Sequence, residues 1–227
     1  MPLVLTEDQE LLAGTAAEFV REHAPLARVR ALRDRRDPVG FSRALWRQMA
    51  ELGWVGILVP EAYGGAGLGM ADLAGVLEQL GRRLAPEPFL STVLLGGQAI
   101  ARGGSEAQKQ AWLSGLAAGE TLLTLAWQEP RSRYDLHRIE TRATPPGAGF
   151  ALNGDKIQVP DAHVANAIVV AARTGGGNRD ADGITLFLVP RAAEGFAITR
   201  QTRIDHRGAA LVHLDGVRVG RDAVVGE

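Results

Sequence analysis

The 227-residue sequence is 46% hydrophobic and 22% charged, a composition typical of folded globular proteins that excludes disordered and fibrous classes. It contains no cysteine, which excludes disulfides, thiolate metal ligands and a cysteine nucleophile. The formal net charge of −1 provides no overall positive field, so we expect no nucleic-acid partner.

Apolar runs in the sequence are short. The longest, such as residues 167–172, fall far below the roughly 20 residues that a membrane span requires. The first residues also lack the basic region of a secretory signal. We therefore expect a cytoplasmic protein without a membrane partner.

Helical periodicity dominates the first half of the chain. Thr6 and Gln9 form a capping-box pattern, which predicts a helix that begins near residue 7. Ser105 and Gln108 repeat the pattern and predict a helix that ends near Gly119. Between these two, apolar stripes predict helices at residues 26–35, 41–53, 70–84 and 90–102.

Two features of this half have a structural and a functional interpretation. Five arginines alternate with apolar residues at helical spacing and favour a solvated face of the second helix over a nucleic-acid-binding surface: Arg28, Arg30, Arg33, Arg35 and Arg36. The glycine-dense stretch 64–69 precedes a helix but follows no parallel-strand unit. A tight connecting loop is favoured there over a phosphate cradle.

After Gly119 the periodicity becomes that of strands. Short apolar or alternating segments predict seven strands at 121–128, 139–144, 150–152, 167–173, 184–189, 196–199 and 210–214. The pairs Asn153-Gly154 and Asp215-Gly216 predict tight hairpin turns. The predicted fold is multidomain, with an N-terminal all-α helical bundle (residues 1–119) followed by an all-β barrel or sandwich (residues 120–227).

Residue spacing alone suggests no reaction. The five histidines show no metal-ligand spacing, so we expect no metal site. Neither a G-x-S-x-G nucleophile elbow nor a phosphate-binding G-x-x-x-x-G-K-[ST] loop is present.

A long motif carries a family resemblance. The segment from Gly53 to Gly69, GWVGILVPEAYGGAGLG, resembles the G-W-x-G-x-x-V-P-E-x-Y-G-G-x-G-L-G loop of flavin-dependent acyl-CoA dehydrogenases. Further matches follow in register, at EQLG (78–81), QKQAWL (108–113), EP (129–130) and LNGDK (152–156). The resemblance implies FAD as cofactor and an acyl-CoA thioester as substrate, desaturated between its α and β carbons with hydride transfer to FAD.

The same resemblance implies site residues in a first segment. The family pattern T-E-P-x-x-G-S-D falls on QEPRSRYD, which begins at Gln128. Flavin contacts are thereby predicted at Leu125, Trp127, Gln128 and Tyr134, and substrate contacts at Arg133 and Tyr134. Of the pattern itself, the Glu, Pro and final Asp are retained.

A second flavin segment, K-x-W-I-T-N in the family, falls on KIQVPD. Its Trp is replaced by Gln158, and its Thr is replaced by Pro160, which has neither a hydroxyl nor an N–H to offer. Each lost hydrogen bond is worth about 1 kcal/mol, so the changes together weaken FAD binding by about tenfold to a hundredfold. We therefore expect weak or lost FAD binding by this chain.

The departures themselves resemble one branch of the family. WQEPRSRYDL and IDHRGAA, the latter beginning at Ile204, are similar to the small-subunit type of pimeloyl-CoA dehydrogenase. This implies a hetero-oligomer with a second acyl-CoA dehydrogenase-type subunit, with a homo-oligomer as the alternative.

The catalytic role of the chain follows from the same comparison. The family's catalytic Glu belongs to a C-terminal four-helix domain that follows the matching segments. We expect that domain to be absent here and therefore predict no catalytic residue in this chain. Two other interpretations stay open: a non-catalytic scaffold subunit with a degenerate flavin site, and an isolated fragment.

Overall fold

The structure is a computed structural model that describes residues 4–145 and 147–226. Its N-terminal half is helical, as predicted. The helices are α1 (Glu7–His23), α2 (Leu26–Asp34), α3 (Arg43–Glu51), α4 (Met70–Arg82), α5 (Gln98–Gly103) and α6 (Glu106–Ala117). Both predicted capping boxes form: the hydroxyls of Thr6 and Ser105 accept the amides of Gln9 and Gln108 at 3.2 and 3.3 Å. No helix of the described ranges is long and apolar enough to cross a membrane.

The predicted helix at 90–102 has two geometries. Its first part, Phe89–Gly97, is π-helical, and α5 follows it directly. A Cβ at Gly96 would lie 2.5 Å from the Cβ of Leu123, so glycine allows this segment to pack directly on the first strand. The wider π-helical turn and the missing side chain together bring the helical half against the β half.

The glycine-dense stretch 64–69 is the tight loop that the sequence favoured. The amides of Ala66, Gly67 and Leu68 donate to carbonyls of residues 56, 59 and 57 at 2.8 to 3.1 Å. A Cβ at Gly65 would lie 2.0 Å from the carbonyl oxygen of Val59. The loop is therefore closed on the preceding turn, and its amides are occupied rather than available to a phosphate.

The second half forms a β-sheet of eight strands within the described residues. They are β1 (Leu123–Ala126), β2 (Arg142–Thr144), β3 (Gly149–Pro160), β4 (Ala167–Arg173), β5 (Ile184–Pro190), β6 (Phe196–Gln201), β7 (Ala209–Gly220) and β8 (Val224–Val225). The sheet order is β6-β7-β3-β2-β4-β5-β8, and β1 pairs in parallel with β4. The predicted fold class, a helical half followed by a β half, is confirmed.

The two predicted hairpin turns are wrong. Strands β3 and β7 run through Asn153-Gly154 and Asp215-Gly216, which lie opposite each other as an irregularity in the ladder. The side-chain oxygen of Asn153 accepts the amide of Gly216 at 2.8 Å, and Gly216 has a φ of 63°. Positive φ thus serves a β-bulge in two long strands instead of a chain reversal. Strand β8 was not predicted because two residues are too few to show the alternation of apolar and polar side chains that marks a strand.

Two apolar cores hold the fold together. One core joins the helices to one face of β1, β4 and β5, and the other lies on the opposite face of the sheet. The arginine-rich face of helix α2 was predicted to be solvated. No residue of α2 is fully buried, but Arg28 is half-buried. Arg28 donates to the carboxylate of Glu87 at 2.6 and 3.0 Å, and Glu87 is 3% exposed. The solvated-face prediction is therefore wrong for Arg28.

Candidate functional site

The two predicted flavin segments meet where β1 ends. The amide of Ile157 in β3 donates to the carbonyl of Gln128 at 2.9 Å. The Nζ of Lys156 lies 3.5 Å from the carbonyl oxygen of Trp127. Segments almost thirty residues apart in the chain thus form one edge at the junction of the helical and β halves.

A buried ion pair fixes this edge from beneath. The Nζ of Lys156 lies 2.6 Å from Oε1 of Glu129, and the two side chains are 0% and 3% exposed. The Glu129 carboxylate also accepts the amide of Glu140 at 2.6 Å and the amide and hydroxyl of Thr141 at 3.0 and 2.6 Å. Glu129 therefore has a structural role, since each of its oxygens is committed to donors within the protein.

The electrostatics of this pair agree with a charged carboxylate. Burial raises the pKa of Glu129, but the charge of Lys156 and the donated hydrogen bonds outweigh it, so the pKa is lowered overall. Burial lowers the pKa of Lys156, and the nearby Glu129 charge opposes this only in part. Three protein donors besides the Lys156 ammonium face the carboxylate, and their hydrogen bonds stabilise its charged form.

Leu125 opens onto an apolar groove beside this edge. The groove has a volume of about 580 Å³. It lies between the π-helical segment, α5, β1 and β5, and its lining residues include Leu94, Leu95, Gln98, Ala99, Leu125 and Leu186. Of these lining residues, only Leu125 was predicted from the sequence. The signal that could have indicated the others is the run FLSTVLLGG, which is too uniformly apolar for a helix that packs on one face only.

The second flavin segment ends in irregular backbone. Gln158 is exposed and has a φ of 54°, at a register shift between Lys156 and Val159. Pro160 is half-buried and pairs with Ala209 at the end of β3. The structure thus shows a polar, solvent-facing side chain and a proline where the family pattern has an aromatic ring and a hydroxyl.

The next residue, Asp161, was missed as a site residue. Its Oδ2 accepts the hydroxyl of Ser91 at 2.6 Å, which ties the end of β3 to the π-helical segment. Burial raises the pKa of Asp161 to about 6, and the Ser91 hydrogen bond and nearby arginines oppose this. No sequence signal pairs these residues, because the contact joins segments 70 positions apart.

The donors at the edge fit a flavin in part. In the described ranges, the backbone amides of Trp127 and Gln128 donate to no protein acceptor, and both residues are half-buried. Two backbone donors and one side-chain amide are therefore available to the polar edge of an isoalloxazine ring. Pro160 supplies no donor, so the set is smaller than the family pattern provides.

Arg133 and Tyr134 lie on an exposed turn that follows Glu129. The Ser132 hydroxyl accepts the amide of Glu129 at 2.8 Å, which closes the turn, and Arg133 has a φ of 49°. Tyr134 is 98% exposed. The structure places both side chains in solvent and does not bring Tyr134 against the edge formed by Trp127 and Gln128.

Metal ligands do not cluster anywhere in residues 4–145 and 147–226. No group of three or more His, Cys, Asp or Glu side chains in these ranges is arranged to hold an ion.

Comparison with known sequences agrees with this geometry. The family model described as the acyl-CoA dehydrogenase N-terminal domain matches residues 6–120, and the middle-domain model matches residues 124–217. Acyl-CoA dehydrogenase FadE12 of Mycobacterium tuberculosis is 33% identical over 187 residues, 80% of this chain and 48% of the relative. Mitochondrial isovaleryl-CoA dehydrogenase of Pongo abelii is 32% identical over 215 residues, 92% of this chain and 50% of the relative. The chain spans about half the length of the curated relatives it matches.

Solved structures show the same fold. A chain of the ChsE4-ChsE5 complex from Mycobacterium tuberculosis superposes with a TM-score of 0.87 at 30% identity, covering 100% of this chain and 58% of that one. A chain of the Tcur3481-Tcur3483 steroid acyl-CoA dehydrogenase G363A variant superposes with a TM-score of 0.84 at 33% identity, covering 97% and 57%. With both of its halves matched by consecutive domain models, this chain belongs to the acyl-CoA dehydrogenase family.

Proposed function

We propose that this chain is one subunit of a FAD-dependent acyl-CoA dehydrogenase and that a second acyl-CoA dehydrogenase-type subunit completes its active site. The observation that carries the proposal is the juxtaposition at the end of β1. There the amides of Trp127 and Gln128 lie beside the apolar groove that contains Leu125. One wall thus offers hydrogen-bond donors for a flavin edge, and the adjacent groove offers apolar surface for an acyl chain.

Each part of this chain has a distinct role in that reaction. A bound FAD would supply the hydride acceptor for the β-hydrogen of the acyl-CoA, whose α-proton a base must remove. The edge amides orient the ring, and the Lys156–Glu129 pair holds that edge in place. The groove positions the acyl chain and excludes water from it. Arg133 pairs with a phosphate of CoA from the exposed turn. We assign the base to no residue of this chain.

Weak flavin binding by the chain alone is part of the proposal. Gln158 presents no ring to stack on the isoalloxazine, and Pro160 presents no donor. The solved neighbours support a partner subunit, because two of them are named as complexes of two different chains. In such a heteromer the partner supplies the contacts that these two positions lack.

A non-catalytic scaffold subunit is the second candidate. The exposed Gln158 and the proline at 160 favour it, since both remove flavin contacts without harming the fold. In this case the chain binds a catalytic partner, and the groove at Leu125 receives no substrate.

Coexpression with a candidate acyl-CoA dehydrogenase partner separates the two. The purified complex is assayed for acyl-CoA-dependent reduction of an electron-accepting dye, with wild-type chain and with Leu125→Arg. If this chain contributes to the active site, the charge in the groove abolishes turnover while the complex still assembles. Undiminished turnover in the Leu125→Arg complex would instead support the scaffold role. The matched control is Leu211→Arg, at an exposed position on β7 outside the groove.

A further inference from the structure

A second cavity lies on α2 and the loop between β6 and β7, and it shares no lining residue with the groove at Leu125. Its volume is about 600 Å³. Five arginines line it, two from the end of the helix and three from the β half: Arg33, Arg36, Arg200, Arg203 and Arg207. Cations thus converge on one concave site from both halves of the molecule.

These arginines exceed the carboxylates available to them. Arg33 pairs with Asp34 at 2.7 Å, and Arg203 pairs with Asp205 at 3.2 Å. Among the residues that the structure describes, no carboxylate lies within 4.0 Å of the guanidinium groups of the remaining three, Arg36, Arg200 and Arg207.

The third carboxylate at the cavity, Asp37, already accepts hydrogen bonds from the backbone. It accepts the amides of Val39 and Gly40, each at 2.9 Å. One more carboxylate, that of Asp161, interacts electrostatically with Arg207, Arg200 and Arg203. Five arginines therefore face four carboxylates, those of Asp34, Asp37, Asp161 and Asp205, and the cavity retains positive charge.

Arg200 is held in the cavity by a backbone carbonyl. The Nη1 of Arg200 donates to the carbonyl of Asp37, across from β6 to the loop after α2. Gly40 has a φ of 86°, and a Cβ there would lie 2.7 Å from Nη2 of Arg200. Glycine at this position therefore keeps the space into which the guanidinium extends.

Both walls also contain non-glycine residues in the left-handed region. Arg36 has a φ of 49° and His206 has a φ of 54°. Their amides donate to the carbonyls of Arg33 and Arg203 at 2.9 and 3.1 Å, so both conformations belong to closed turns. Such conformations cost about 1 to 3 kcal/mol each and are concentrated at functional sites.

Part of the lining is apolar. Val29 and Leu32 of α2, together with the buried Pro86, contribute to the cavity beside the arginines. An inorganic ion would leave this surface uncovered. A ligand with a charged end and an apolar or aromatic body would use both parts of the lining.

We propose that this cavity binds an organic phosphate, with a phosphate or diphosphate group on Arg36, Arg200 and Arg207 and an apolar or aromatic body over Val29 and Leu32. Planar guanidinium groups donate paired hydrogen bonds that match phosphate oxygens. The site is separate from the flavin edge and goes beyond the proposed dehydrogenase role. A concave site with an apolar wall favours a small molecule over an acidic peptide, which would bind across a flat surface.

Calorimetric titration of the protein at low salt tests this, with ADP, inorganic diphosphate and sulfate as probes. ADP is expected to bind more tightly than diphosphate, and sulfate least tightly. Arg36→Ala and Arg207→Ala are each expected to weaken ADP binding about tenfold or more, the value of a hydrogen bond to a charged group. The matched control, Arg35→Ala, removes an exposed arginine of the same turn that does not line the cavity, and it leaves binding unchanged.

Several outcomes would overturn the proposal. These are ADP binding that is unaffected by Arg36→Ala and Arg207→Ala, diphosphate binding as tight as ADP binding, or a polyaspartate peptide binding in place of ADP. ADP is also part of both FAD and CoA, so Arg133→Ala serves as a further control. Loss of binding in Arg133→Ala alone would place ADP at the exposed turn and contradict the cavity site. Circular dichroism of each variant verifies the fold before titration.

Discussion

Breaking the buried pair beneath the flavin edge is expected to destabilise the protein strongly. Glu129→Gln leaves the Lys156 ammonium, which is 0% exposed, without a carboxylate at 2.6 Å. Removing one partner of a buried pair costs about 3 to 5 kcal/mol. The total stability of a typical domain is only about 5 to 15 kcal/mol, so the loss is a large fraction of it.

The opposite substitution is expected to cost less. Lys156→Met leaves a carboxylate that still accepts hydrogen bonds from Glu140 and Thr141, so we expect a loss of about 1 to 3 kcal/mol. The double variant replaces the pair by an amide and an apolar side chain. It is expected to be more stable, by about 2 kcal/mol, than the sum of the single changes predicts.

Urea unfolding followed by tryptophan fluorescence measures these differences through the midpoint and slope. The matched control is Glu78→Gln, which breaks the solvent-exposed pair between Glu78 and Arg82 and is expected to leave the midpoint unchanged. A Glu129→Gln midpoint equal to that of the control, or strict additivity in the double variant, would refute the structural role of the pair.

Three further predictions concern the site and its surroundings. Gln158→Trp with Pro160→Thr is expected to increase flavin retention in the purified protein about tenfold or more, measured by FAD titration; the control, Gln158→Ala with Pro160→Ala, restores no flavin contact and should not increase it. The folded-state pKa of Asp161, about 6, exceeds the unfolded value of 3.8, so its stabilising contribution is full below 3.8 and is lost as pH rises through 6. Asp161→Asn is therefore expected to be more stable than wild type at pH 7, by roughly 3 kcal/mol at most, and to lack this pH dependence. Urea midpoints that are equal for the two proteins from pH 4 to 7 would contradict this prediction. Leu125→Trp is expected to fill the apolar groove and weaken acyl-CoA binding by the heteromer about tenfold, whereas unchanged affinity would place the acyl chain elsewhere.

Features that depend on neighbouring residues were predictable from the sequence. The capping boxes at Thr6 and Ser105 formed as predicted, because the donor and acceptor lie three residues apart. The change from helical to strand periodicity near Gly119 was equally local. The overall order of a helical half followed by a β half therefore followed from periodicity alone.

Features that depend on residues far apart in the sequence were not predictable. Asn153-Gly154 and Asp215-Gly216 favour positive φ, but whether they reverse the chain or bulge a strand depends on which residues lie opposite. They fall at a register shift between β3 and β7, where the amide of Gly216 donates to the side chain of Asn153, and a bulge forms there. No local sequence signal indicates this arrangement.

Parts of the site escaped prediction for the same reason. Leu94 lines the groove with Leu125 only because Gly96 allows the π-helical segment to approach β1. Arg36 and Arg200 face one cavity although they lie more than 160 residues apart in the chain. The family motif indicated the edge formed by Trp127 and Gln128, whereas the surfaces around it arise from the packing of the two halves.

Anaerobic addition of acyl-CoA to the purified heteromer tests the central claim most directly. If this chain and its partner together form a dehydrogenase active site, the complex has a flavin absorbance that acyl-CoA bleaches, and the chain purified alone retains little or no flavin. A complex that is colourless after saturation with FAD, or whose flavin absorbance is unchanged by acyl-CoA, would contradict the account.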